Sequence, residues 1–336
     1  MPLIQSRWPD LPHAAGRLGG GSDVLGLDDA MSRDHDWGLR LTLLVPAERV
    51  GAVRALLERD LPATFRGLPT RFATSWDPAV VHRVDVMAPE DFATRHLSVG
   101  LDGPVDAVDW LALTGQSVLE VTGGPVFCDT DGRISQLRDA LAWYPPGLWR
   151  YTVACDWQRI DQELPFIGRT AQLGDDLGSG LIAARLVRVA MHLGFLLHRR
   201  WAPYPKWFGT MFAALPIAAE VRPLLGTAIA AETWPEREEG LCKALESLLE
   251  VQRRVGLPAP GSATRSFFDR PFRCLSPEVV AMLQSDIEDP VVRGLPLGVG
   301  AVEQWVDNVD VLVQPDRRKA LTSAWRSALG ANTDPA

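Results

Sequence analysis

The first half of the chain has the short apolar segments of a mixed α/β fold. In DHDWGLRLTLLV (34–45) nearly every second residue is apolar, which predicts one strand over the whole segment. PAERVGAVRALLERDLP (46–62) has helical spacing with an early proline and glutamate. AVVHRVDVM (79–87) predicts a second strand, and VLEVTGGPVFCDTDGRIS (118–135) predicts strands separated by turns.

From about Trp149 onward, helical periodicity dominates. SGLIAARLVRVAMHLGFLLHRR (179–200) places apolar residues in the 4-3-4-3 steps of one helix face, and PEREEGLCKALESLLEVQRRVGLP (235–258) has the charge polarity of a helix. The pair Pro145-Pro146 would end any helix that reached it. The pattern therefore predicts an α/β domain over residues 1–145 and an all-α domain over 146–336 that closes a ligand cleft between them.

The bulk composition describes an ordinary globular protein. Of the 336 residues, 46% are hydrophobic and 23% charged, and the formal net charge of −8 argues against a broad nucleic-acid surface. The four cysteines have no C-x-x-C spacing, which indicates reduced thiols. Arg185 and Arg188 interrupt the longest apolar segment, so we expect no membrane span and a cytoplasmic protein.

Two carboxylates at the start of the first predicted strand suggest a cation site. On a strand, Asp34 and Asp36 share one face, with side-chain roots about 7 Å apart. Two carboxylates that close repel each other unless a cation neutralises them, and oxygen ligands suit Mg²⁺ or Mn²⁺. The alternative is a solvated strand end or a helix cap.

A glycine cluster precedes this pair. Gly19-Gly20-Gly21 allows a close backbone approach, and Ser22 adds a hydroxyl donor. A helix that began near Ser22 would also direct free N–H groups at an anion. We therefore expect Gly21, Ser22 and Arg33 to contact phosphate, and a phosphate-binding loop beside a D-x-D pair outlines a nucleoside-triphosphate site.

The combined motifs resemble a known superfamily. Gly21-Ser22, eleven further residues, Asp34-x-Asp36 and a later apolar-Asp-apolar strand at Asp85 resemble the nucleotidyltransferases of DNA polymerase β type. More closely, GSDVLGLDDAMSRDHDWG, ARLVRVAMHLGFLLHRRWAPYPKWFGTMF and FFDRPF resemble the DUF4037 family of nucleotidyltransferase-like proteins, over roughly residues 14–320. His35 departs from the pattern, because the superfamily usually has an apolar residue there.

The resemblance implies a fold and a reaction. It implies an α/β (α+β) nucleotidyltransferase domain with a mixed sheet, followed by a helical bundle. Asp34, Asp36 and Asp85 would hold two Mg²⁺ ions, with Asp85 completing the site or acting as base. The donor would be a nucleoside triphosphate, ATP first among them. An acceptor hydroxyl would attack its α-phosphorus and release pyrophosphate.

The helical domain adds further candidates. The superfamily often brings a lysine of this domain to the β/γ phosphates and an aromatic ring to the base, which the resemblance assigns to Lys206 and Tyr204. A surface lysine in a proline turn explains APYPKWFGT equally well. A basic stripe at helical spacing comprises Arg185, Arg188, His192 and Arg199. Such a stripe is usually a solvated face, and Arg188 is its best candidate for a contact with the triphosphate.

Glu163 is a candidate base for the acceptor hydroxyl. Nearby, Asp175 has a simpler interpretation as the cap of the helix that follows it.

Three functions stay open on the sequence alone. The first is transfer of NMP, AMP foremost, to a hydroxyl of a small molecule, a protein or RNA, with the negative charge favouring a cationic small molecule or a protein. The second is a non-catalytic nucleotide sensor or partner-binding protein on the same fold, because a fold does not guarantee activity. A plain phosphohydrolase is a third possibility.

Overall fold

A computed structural model of the chain describes residues 2–33, 38–75, 77–97, 99 and 105–330. The chain divides into two compact units. The first comprises Met1–Val105, Ser117–Ala142 and Gln314–Asp316, and the second comprises Asp106–Gln116, Trp143–Val313 and Arg317–Ala336.

The elements alternate in the first half of the chain and are mostly helical in the second. The strands are β1 (Ala14–Gly16), β2 (Leu41–Leu44), β3 (Thr64–Phe65), β4 (Leu68–Pro69), β5 (Arg71–Thr74), β6 (Asp77–His82), β7 (Val84–Met87), β8 (Val126–Asp129), β9 (Thr264–Ser266) and β10 (Arg273–Leu275). The helices are α1 (Pro2–Arg7), α2 (Val50–Asp60), α3 (Pro89–Leu97), α4 (Ala107–Ala112), α5 (Gly115–Thr122), α6 (Arg133–Ala140), α7 (Pro146–Glu163), α8 (Phe166–Gln172), α9 (Asp176–Leu197), α10 (Pro205–Phe212), α11 (Ala218–Ala230), α12 (Trp234–Arg254), α13 (Glu278–Ser285), α14 (Pro290–Arg293), α15 (Val302–Trp305), α16 (Val309–Val313) and α17 (Pro315–Gly330). Two 3₁₀ helices cover Ala30–Arg33 and Ala47–Arg49.

A four-stranded mixed sheet forms the centre of the first unit, in the order β7-β2-β1-β8. Strands β2 and β7 are parallel, and the other neighbours are antiparallel. Parallel strands are usually buried on both faces, which is consistent with the burial of three successive β2 residues, Thr42, Leu43 and Leu44. Leu43, Val53 and Val86 have no more than 1% of their surface exposed and pack in one core. The mixed α/β character predicted from the sequence is confirmed.

The strand predicted over residues 34–45 is shorter than expected. Strand β2 begins at Leu41, and residues 38–40 precede it without strand pairing. The alternation over this segment was also misleading, because Thr42 and Leu44 are buried along with Leu43. Asp34 and Asp36 lie outside the described residues, so their predicted placement on a shared strand face stays a prediction.

Two other strand predictions are wrong in extent or type. Residues 79–87 are split at Arg83, whose guanidinium donates to Phe72 O at 3.1 Å and pairs with Asp77 at 3.0 Å, so that β6 joins a hairpin while β7 joins the main sheet. Residues 118–122 are helical in α5, because Val118 and Val121 place two fully buried side chains at helical spacing.

The Asp131-Gly132 pair does not form a hairpin tip. Gly132 has φ of 72°, which only glycine adopts without strain, and it precedes α6 directly. Of the strands predicted in this part of the chain, β8 is the one that forms.

The second unit is built around long helices. Helices α7, α9 and α12 pack together, and α8, α11 and α13 pack against them. The predicted helices over 179–200 and 235–258 are confirmed as α9 and α12, and Asp175 caps α9 by accepting from Gly178 N at 2.8 Å. The unit is not all-α, because β9 and β10 form a hairpin.

Helix α9 is long and apolar enough to cross a membrane, judged by length and composition alone. We expected Arg185 and Arg188 to exclude this, and by these two criteria they do not. However, 61% of the most apolar segment of this helix is buried inside the protein, as in the core helix of a globular domain.

Candidate functional site

The first unit contains a cavity of about 410 Å³ beside the parallel strands β2 and β7. The glycine turn contributes Gly19 and Gly20 to its wall, β7 contributes Asp85, and Arg40 lines it from just before β2. Helix α3 contributes Arg95. The lining thus combines several guanidinium groups with one carboxylate, and the guanidinium groups suit a polyanion. The Gly19 N–H is not free for this purpose, because it donates to Glu120 O at 2.7 Å.

The conformation of the glycine turn is set by a neighbouring ion pair. Arg17 Nε lies 2.5 Å from Asp23 Oδ2, and Arg17 Nη2 also donates to Gly20 O at 2.9 Å. Gly21 has φ of 136°, and a Cβ there would lie 2.3 Å from Asp23 Oδ1. Gly21 is thus needed for the close approach of this pair, whereas Gly19 and Gly20 are the glycines that line the cavity.

The helix expected near Ser22 does not form. Residues 22–26 make a turn in which Leu25 N donates to Ser22 O at 3.1 Å. The Ser22 hydroxyl donates to Asp28 Oδ1 at 2.6 Å. The turn therefore offers a hydroxyl that already has an acceptor and no helix N-terminus.

Asp85 lies on β7 opposite Thr42 of β2. Its side chain is 52% exposed, and Oδ2 accepts from Arg95 Nη1 at 2.7 Å. An ion pair this exposed is worth only about 0–1 kcal/mol. The carboxylate is therefore available to exchange Arg95 for another cation at little cost.

The remaining predicted metal ligands are not in the described part of the chain. Asp34 and Asp36 belong to the segment 34–37, and Arg33 ends the 3₁₀ helix Ala30–Arg33 just before it. Among residues 2–33, 38–75, 77–97, 99 and 105–330, no three His, Cys, Asp or Glu side chains gather as a metal site. The described residues thus supply one oxygen ligand, Asp85, which fits Mg²⁺ in chemistry.

The sequence analysis did not predict several residues of the cavity wall. The wall includes Arg17, Arg40, Arg83 and His96, of which His96 pairs with Glu120 at 2.7 Å. Arg40 and Arg83 immediately precede β2 and β7, at the ends that carry the cavity. The usable signal was therefore the position of an arginine directly before each of two neighbouring parallel strands.

The second unit contains its own cavity, of about 210 Å³. The predicted residues Arg188 and Tyr204 line it, together with His192, Phe208 and Glu303. Lys206, which was predicted beside them, is exposed on α10, and its Nζ lies 4.9 Å from the centroid of the Trp207 ring. Arg188 and Tyr204 are thus brought together.

A buried network of charged groups forms one side of this cavity. His192 Nδ1 lies 2.7 Å from Asp156 Oδ2, and His192 Nε2 lies 3.6 Å from Glu303 Oε1. Gln304 Nε2 donates to Asp156 Oδ1 at 2.7 Å. Burial alone would lower the pKa of His192, but the Asp156 and Glu303 carboxylates outweigh it and raise the pKa to about 10. His192 is therefore an imidazolium at neutral pH.

The basic stripe on α9 is not a uniformly solvated face. His192 is 7% exposed and belongs to the buried network, whereas Arg185 is half exposed. Arg199 stacks on the Trp149 ring at 4.1 Å. Each residue of the stripe meets a different neighbour, which its spacing alone did not indicate.

Glu163, predicted as a base, ends α7 in the second unit. Its Oε2 accepts from Arg185 Nε at 2.7 Å. Glu163 lines neither of the two cavities described above. Its role as a base stays a prediction.

We expect the stability of the protein to fall as pH rises from about 6.5 to about 10. The folded-state pKa of His192 is raised above its ordinary value of 6.5, so its contribution is complete below that value and is lost as pH passes through about 10. Urea unfolding near pH 6, 8 and 10 should show a declining difference between the wild type and His192→Gln. A difference that is constant across this range would contradict the assignment.

Comparison with known proteins identifies one segment of the chain. A search of the curated proteins finds no match. Among solved structures, the chain is similar to a nucleotidyltransferase-like protein from Exiguobacterium sibiricum 255-15, at 12% identity and a TM-score of 0.35, over 75% of this chain and 73% of that one. A TM-score this low does not establish a shared fold.

Residues 110–208 match the family described as Domain of unknown function (DUF4037). The match includes most of the segment ARLVRVAMHLGFLLHRRWAPYPKWFGTMF and excludes the other two motifs that suggested the family. Residues 110–208 are therefore similar to the family that the motifs of the chain resemble.

Proposed function

We propose that the protein is a Mg²⁺-dependent nucleotidyltransferase that moves NMP, AMP foremost, from a nucleoside triphosphate to a hydroxyl of an acceptor. The observation that carries this proposal is the cavity of the first unit, where Gly19, Gly20, Arg40 and Arg95 surround Asp85. The acceptor oxygen forms a bond to the α-phosphorus, the bond to the β-phosphate oxygen breaks, and pyrophosphate leaves.

The charges in the cavity suit this ligand. Three arginines of the cavity wall are held in ion pairs: Arg17 with Asp23, Arg83 with Asp77 and Arg95 with Asp85. A metal ion that replaced Arg95 on Asp85 would free this guanidinium for a phosphate oxygen. The metal and the triphosphate would then each favour the binding of the other, because both need the ion pair between Asp85 and Arg95 to break.

Asp34, Asp36 and Asp85 are the residues we propose as metal ligands. Bound Mg²⁺ would supply charge neutralisation on the phosphates. Asp36 precedes Arg40 by four positions in the sequence, and Arg40 lines the cavity. The arginines of the wall would stabilise charge on the departing pyrophosphate, and the glycines would allow the phosphates to approach the backbone.

Lys206 and Glu163 stay in the proposal on the sequence alone, as a contact of the β/γ phosphates and as the base. Arg188 and Tyr204, which were also expected to contact the nucleotide, line the second unit's own cavity. The proposed location is the cytoplasm.

A thermal-shift titration separates this proposal from its rival. We expect ATP to raise the melting temperature in the presence of Mg²⁺ and to have much less effect in EDTA, because the phosphates need the metal to bind beside Asp85. Asp85→Asn should weaken the Mg²⁺-dependent shift, whereas Asp77→Asn, which changes the carboxylate paired with Arg83 of the same wall, should retain it. Equal stabilisation by ATP with and without metal would favour a nucleotide sensor instead.

A further inference from the structure

The cavity of the second unit has a lining unlike that of the first. Its lining includes the charged residues Arg188, His192 and Glu303 and the aromatic residues Tyr204 and Phe208. At about 210 Å³ it is below the range of about 300–1,000 Å³ that is usual for sites of drug-sized ligands. The site therefore suits a molecule smaller than a nucleotide.

Among the described residues, Arg188 is the cation of this cavity that has no carboxylate partner. Its guanidinium carbon lies 5.8 Å from the centroid of the Phe208 ring, and in the described part of the chain it has no ion-pair partner. Arg185, one turn earlier on the same helix, pairs with Glu163 at 2.7 Å. An arginine that stacks on an aromatic ring at a cavity wall presents its planar fork of donors to whatever enters.

The other charged groups of the cavity already have partners. The His192 imidazolium lies between Asp156 and Glu303, and Glu303 Oε2 also accepts from Gly115 N at 2.7 Å. These contacts hold the side chains of His192 and Glu303 in place, so Arg188 is the charged group available to bind the ligand. Because Glu303 lies in the same wall, a ligand with two negative charges would be repelled there more than one with a single charge.

We propose that this cavity binds a small monocarboxylate with a flat apolar body, its carboxylate on the fork of Arg188 and its body against Phe208 and Tyr204. Guanidinium and carboxylate match in a planar, two-bond geometry that a compact ammonium does not offer. Both aromatic side chains present apolar faces to the remainder of the molecule. The site would operate whether or not the first unit transfers nucleotides.

The test is titration of the full chain with benzoate, followed by isothermal calorimetry. We expect saturable binding to the wild type, retention in Arg185→Gln, and binding about 10–100-fold weaker in Arg188→Gln, since a charge-assisted pair is lost. Benzamide, which has the same shape without the charge, should bind as weakly as benzoate does to Arg188→Gln. Circular dichroism of each variant checks that it is folded.

A chemical measurement keeps the test decisive if Arg188→Gln does not fold. Phenylglyoxal modifies arginine side chains, and mass spectrometry of the wild type reports each site separately. Benzoate should protect Arg188 and leave Arg185 as reactive as before. The proposal is overturned if wild-type protein shows no saturable binding of benzoate, if Arg188 is not protected, or if inorganic phosphate or ATP protects Arg188 in its place.

Discussion

Asp36→Asn is expected to reduce nucleotidyl transfer by about 10³-fold while leaving the protein folded. The substitution keeps the size of the side chain and removes the negative charge that we propose holds Mg²⁺. A carboxylate that balances a divalent cation stabilises the charge on the transferring phosphoryl group, so its loss affects the rate more than the affinity for ATP. Initial rates of pyrophosphate release at saturating ATP measure this effect.

The matched control for this variant is Asp29→Asn. Asp29 Oδ1 accepts from Met31 N at 2.8 Å and from Ser32 N at 3.1 Å, contacts that the oxygen of asparagine reproduces. We therefore expect its activity to match the wild type. Equal activity of Asp36→Asn and Asp29→Asn would show that Asp36 has no part in catalysis.

Asp156→Asn is expected to lower the free energy of unfolding by about 3–5 kcal/mol at neutral pH. Asp156 is 2% exposed, and its carboxylate is the close partner of the His192 imidazolium. Asparagine fills the same volume but leaves this cation with Glu303 alone, at 3.6 Å. Urea denaturation measures the loss, which should be smaller near pH 10, where His192 is able to lose its proton.

Asp161→Asn on the same helix is the control for this effect. Burial raises the pKa of Asp161, against smaller opposing effects of Gln158 and Arg265, so its charge opposes folding rather than supporting it. Neutralising this residue should leave the stability unchanged or slightly increased. A similar loss in both variants would mean that any polar change on α7 is disruptive and that the pair with His192 is not special.

Periodicity predicted the second unit well because its helices are long. Over the 22 residues of α9, the repeat at 186, 189, 193 and 196 places four buried side chains on one face. Over four-residue strands the same reasoning fails. Strand β2 is buried on both faces, and α5 was mistaken for a strand because β-branched Val118 and Val121 favour strands while their spacing suits a helix.

The candidate sites were less predictable than the helices. The sequence brought Gly19, Gly20 and Asp85 into consideration, and all three line one cavity. It missed the partners that depend on folding, such as Arg17 with Asp23 and Arg95 with Asp85. It also placed His192 on a solvated stripe, because the carboxylates that bury it lie 36 and 111 positions away along the chain.

The catalytic proposal is tested most directly by following the α-phosphate of ATP. The protein is incubated with Mg²⁺, cell extract and ATP labelled at the α-phosphorus, with Asp36→Asn in parallel. We expect the label to appear on an acceptor, with one pyrophosphate released for each transfer, and neither product in the Asp36→Asn sample. Release of γ-phosphate as inorganic phosphate, with all α-label remaining in free nucleotide, would contradict nucleotidyl transfer and indicate a phosphohydrolase.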